Sequence, residues 1–101
     1  MKYVITESRL SQFIYGYLNT FLENRVVNRV YPYIVISEPI SDDNEDWDDM
    51  MEFDKIDGRL WINRRFILNM MDLFGINKEG TQNYIKDWFE NRFEVKVKFV
   101  E

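Results

Sequence analysis

Leu10, Phe13, Ile14, Tyr17, Leu18, Phe21 and Leu22 recur at spacings of three and four, so on an α-helix all seven fall along one stripe. A helix that is apolar on one side must lay that side on a second layer. Thr6 or Ser8 supplies the expected N-terminal cap. Gly16 costs such a helix about 1 kcal/mol relative to alanine, which implies either a close neighbour or simple tolerance.

The rest of the chain predicts what that second layer is. Val30 to Ser37 is β-branched and aromatic and reads as a strand, with Pro32 expected at an edge or a strand start because it cannot donate to a ladder. Met51 to Ile56 and Arg59 to Ile62 flank Asp57-Gly58, a dipeptide suited to a tight hairpin turn. Asn63 is placed to cap a second helix that buries Phe66, Ile67, Met70, Met71 and Phe74 and ends near Gly75. Asn77 is placed to cap a third, with Tyr84, Ile85, Trp88 and Phe89 on one face. Phe93 to Glu101 alternates, with Val95, Val97 and Phe99 on one side and Glu94, Lys96 and Lys98 on the other, as in a half-buried strand. At 101 residues the expectation is one α+β domain over 1–101. It comprises a small, mainly antiparallel sheet of about four strands packed against three helices, with residues 38–54 as an acidic loop insert.

Charge divides the chain unevenly. Glu38 to Asp54 holds nine of the 18 acids and no base, leaving nine acids against 13 bases, a body of +4, in the remainder. Asp42, Asn44, Asp46 and Asp48 have the alternating oxygens of a calcium loop. Trp47 and Phe53 stand where that pattern needs glycine and glutamate, so no metal site is expected. The chain has no cysteine and no histidine, which excludes disulfides, thiolate zinc and imidazole proton transfer. Ser8, Ser11, Ser37 and Ser41 therefore lack the usual activating base, and four scattered glycines make no phosphate-binding loop. A non-enzymatic protein without a cofactor is expected. No apolar run approaches the roughly 20 residues needed to span a bilayer, and Met1 to Ile5 is too short for a signal peptide, so no membrane association is expected.

The candidate partner-binding residues are Asp42, Asp43, Glu45, Asp46, Trp47, Asp48, Asp49 and Met50. Their carboxylates suit a basic partner, and Trp47 and Met50 offer apolar anchors. Arg59, Arg64 and Arg65 form a candidate basic patch near Trp61, which is itself expected on the core side of its strand. The patch is small and the insert repels phosphate, so direct nucleic-acid binding is not expected. Exposed aromatics and edge pairing through the strand containing Val95 and Val97 would allow a homodimer.

Ile5-Thr-Glu-Ser-Arg-Leu-Ser-Gln-Phe-Ile14 resembles the "ITES-x-L-x-x-x-I" start of small uncharacterised tailed-bacteriophage proteins, and Ile85-Lys-Asp-Trp-Phe-Glu-Asn-Arg-Phe-Glu-Val-Lys-Val97 resembles their "I-K-x-W-F-E-x-x-F-x-V-x-V" close. Ile5-Thr6-Glu7 also resembles a phage prohead-protease cleavage pattern, although the expected reading is a cap followed by a glutamate placed by the helix dipole. The resemblance implies a viral origin, with the protein in the host cytoplasm or the virion, and brings no catalytic or binding residues with it. The expected function is that of a protein-binding protein, either an accessory particle component or a modulator of a host protein. The alternative is an acidic DNA mimic that inhibits a nucleic-acid-handling host protein.

Overall fold

The computed structural model describes residues 7–39 and 47–101. Helix α1 spans Glu7–Glu23, α2 Arg64–Phe74 and α3 Lys78–Phe93. The strands are β1 Val26–Val30, β2 Tyr33–Pro39, β3 Trp47–Asp54, β4 Arg59–Ile62 and β5 Phe99–Val100. The strands form one sheet in the order β1-β2-β3-β4-β5, antiparallel except for the parallel β4–β5 pair. The fold is α+β as expected, with five strands rather than about four.

The stretch Val30 to Ser37 is not one strand. Val30 closes β1 and Tyr33 opens β2, with Pro32, after a cis peptide bond, in the turn between them. The described residues of 38–54 are likewise strand, with β2 running through Glu38 to Pro39 and β3 starting at Trp47. Acidic side chains in alternation with Met51 and Phe53 suit a strand wet on one side, which is why so charged a segment joins the sheet. At the C-terminal end α3 continues to Phe93 because that ring packs on Phe89, 4.5 Å between centroids, and edge-on to Trp88. Glu94 then leaves the helix in the left-handed region, at φ 54°. Only Phe99 and Val100 reach the sheet, and Phe99 is exposed rather than sharing a side with buried Val97.

Three other helix termini follow local chemistry. Asn63 and Asn77 cap α2 and α3 through their side-chain oxygens, and Gly75, at φ 64°, ends α2 with its N–H on the Met71 carbonyl. The helices cover one face of the sheet. Ile34 and Ile36 of β2, Met51 and Phe53 of β3, and Leu60 and Ile62 of β4 meet Ile14, Leu18, Met70, Ile85 and Phe89 in the core. Each such side chain contributes about 1.5–3 kcal/mol by leaving water. Across the core Phe21 stacks on Phe66 and Phe53 on Phe89. The α1 stripe packs inward except at Phe13, which is 59% exposed, and the indole N–H of Trp88 donates to Asn19 at 2.8 Å, joining α3 to α1.

Candidate functional site

With the helices on one side, no described residue outside the strands covers the other face of the sheet, and the chain's local patterns decide what it shows. Alternation sends Tyr33 and Val35 of β2, Glu52 and Asp54 of β3, and Arg59 and Trp61 of β4 to that open face. Strict alternation would also put Met50 there and Asp49 in the core. The ladder corrects this, since Ile36 pairs with Met51 and Ser37 with Asp49, which leaves Met50 as an unpaired bulge. Met50 and Met51 are both buried as a result, and Asp49 turns outward, where it accepts a hydrogen bond from the Ser37 hydroxyl at 2.8 Å.

The open face therefore carries a column of carboxylates along β3. Asp49, Glu52 and Asp54, with Arg59, Trp61 and Glu101, line a shallow concavity of about 280 Å³. Glu52 stands directly across from Trp61, and Asp54 from Arg59. Arg59 is the single base of the group and leans toward Glu101 at 3.6 Å and Asp57 at 4.0 Å. Beside the column, β1 and β2 expose Val26, Val30 and Tyr33. A guanidinium or ammonium entering between Glu52 and Asp54 would meet two negative charges and the indole of Trp61 together. Among the described residues no group of acids is arranged to hold a metal ion.

At the opposite phase of the same ribbon, the facing acids Glu38 and Asp48 are matched by bases from the helix side. Arg25 Nε lies 2.7 Å from Glu38 Oε2, though out of line for a directional hydrogen bond, and its guanidinium stacks 4.6 Å from the Phe21 ring. Arg65, in the first turn of α2, donates to Asp48.

Several expected site residues stand elsewhere. Asp42, Asp43, Glu45 and Asp46 lie outside the described residues, and Trp47 is placed only by the backbone of β3. Of the remaining three, Asp49 is exposed on the open face and Asp48 is taken up by Arg65. Met50 is in the core, 4% exposed, and cannot anchor a partner. Arg59, Arg64 and Arg65 do not act as one basic patch. Arg65 serves Asp48 and Arg59 faces acids, while Arg64 borders a separate groove of about 440 Å³ with Leu68, Met71 and Gln82. Trp61 is on the open face instead of in the core, because Leu60 and Ile62 take the inward positions of β4. Glu52 and Asp54 are not among the expected site residues, although their alternation with Met51 and Phe53 is plain in the sequence. Nor is Val26, because β1 is too short and mixed to show a pattern.

No helix among the described residues is long and apolar enough to cross a membrane. Comparison with known families, curated proteins and solved structures finds no match to this chain.

Proposed function

We propose that this protein is a non-enzymatic binding protein that takes a basic protein segment on the open face of its sheet. The observation that carries this reading is the column Asp49, Glu52 and Asp54 beside Trp61 and the exposed Val26, Val30 and Tyr33. Carboxylates supply charge complementarity and the aromatic and branched side chains supply contact area, the usual division of labour in an interface. The phage resemblance of the opening and closing segments supports taking the partner to be a virion or host protein, met in the particle or the host cytoplasm. A DNA-mimic reading is favoured by one observation, that acids of the run lie in a row on an ordered strand, as phosphates do.

Affinity capture from host lysate tests both readings. The native chain is compared with a triple variant, Asp49→Asn, Glu52→Gln and Asp54→Asn. A partner held by the native chain, lost by the variant and weakened by salt supports the binding reading. Displacement of that partner by duplex DNA selects the mimic. Equal capture by both chains overturns the role of the column.

A further inference from the structure

The two edges of a sheet expose unpaired N–H and C=O groups, and folded proteins usually blunt them. One edge here is blunted by length, since β5 has two residues. The other, β1, has five, and among the described residues no element covers it. Val26–Val30 contains no proline or lysine, and the bulge lies further in, between β2 and β3. Its one charged residue, Arg29, is turned back over the helix side, its guanidinium 5.2 Å from the centroid of the Phe93 ring. On the open side β1 offers Val26 (40% exposed), Asn28 and Val30 (70% exposed).

That row reads the same in both directions, Val-x-Asn-x-Val. In an antiparallel pair with its two-fold axis at Asn28, Val26 of one copy meets Val30 of the other. Val27 meets Arg29, and the two Asn28 amides face each other, each able to donate and to accept. No like charges stand directly opposite. We infer that the chain forms an isologous homodimer by pairing β1 with β1 of a second copy, joining two five-stranded sheets into one continuous sheet. The unpaired backbone would accept any strand, and the symmetry of the side chains selects a second copy. This pairing stands apart from the binding of a basic segment and does not depend on it.

A five-residue edge is small beside the ~800 Å² per partner of a standard interface, so association is best read by sedimentation equilibrium at about 100 μM. The native chain is expected at the mass of two copies. Asn28→Lys sets two ammonium groups against each other on the axis and is expected to weaken association about tenfold or more, with an unchanged circular dichroism spectrum. Opposed Cα atoms in an antiparallel pair lie about 4.5–5.5 Å apart, within disulfide range. Asn28→Cys, in a chain with no other cysteine, is therefore expected to form a covalent dimer under mild oxidation faster than Asn83→Cys, at an exposed position of α3. A monomeric mass for the native chain overturns the inference. So does a dimer indifferent to Asn28→Lys, or cross-linking of Asn28→Cys no faster than of Asn83→Cys.

Discussion

Four hydrogen bonds meet at Asn63. Its side-chain oxygen accepts from Arg65 N and its side-chain amide donates to the Asp49 carbonyl. Its backbone N–H donates to the Met50 carbonyl, and its own carbonyl accepts from Ile67 N. One side chain thus starts α2 and ties that start to the β3 bulge. Asn63→Ala is expected to cost about 1–2 kcal/mol, read as a lower urea midpoint with unchanged slope. Asn63→Asp restores the cap but not the bond to Asp49, and should recover only part of the loss. A second residue-level effect concerns Tyr15, whose phenol is raised above the ordinary 10.0 by burial first, then by the charge of Asp87 and by Tyr84. Because the unfolded chain ionises there first, the stability linked to Tyr15 is full below pH 10 and falls as pH rises through the higher folded value. Phenolate absorbance should show a late-ionising component that Tyr15→Phe removes and Asp87→Asn only partly lowers.

At the scale of elements, the helices were legible because their signals are local. The α1 stripe, the two asparagine caps and Gly75 each depend on neighbours within a turn. Gly16 turns out to be tolerated rather than required, since a Cβ there would meet nothing within 4 Å. Gly16→Ala should stabilise the protein by about 0.5–1 kcal/mol in the same urea assay. Gly58 is the opposite case. It sits at φ 72°, a Cβ would lie 2.6 Å from Lys98 Cγ, and its carbonyl accepts from Lys98 N. Gly58→Ala is expected to cost about 1 kcal/mol or more and to loosen β5, seen as faster amide exchange at Phe99. The sheet was less legible. Phe93 to Glu101 alternates like a strand, yet the packing of Phe93 on Phe89 outweighs that pattern and extends α3. Trp61 could have been placed from Arg59, which shares its side of β4.

At the scale of the molecule, the acidic run is less separate from the body than its charge suggests. Glu38 and Asp48 are matched by Arg25 and Arg65, so two of the 13 bases hold the ribbon in place. The open-face acids have less help. Changing Asp49, Glu52 and Asp54 together to amides should leave stability within about 0.5 kcal/mol, because an amide oxygen can still accept from Ser37 Oγ and from Ile56 N, as Asp49 and Asp54 do. Thermal unfolding checks this, and an unchanged midpoint alongside lost partner capture would separate recognition from folding. Sequence could not assign these faces, since which side of a strand is wet depends on helices distant along the chain and on where a ladder slips.

The slip at Met50 also bears on how such a chain can change length. It already absorbs one surplus residue without disturbing Met51 or Phe53, so the reading frame of the acidic end is uncoupled from that of the core. An insertion between Trp47 and Asp49 shifts the frame only of the strand end beyond the bulge. The same insertion between Met51 and Asp54 would turn Phe53 out to water and Glu52 or Asp54 into the core, so lengthening is cheap on one side of Met50 and ruinous on the other.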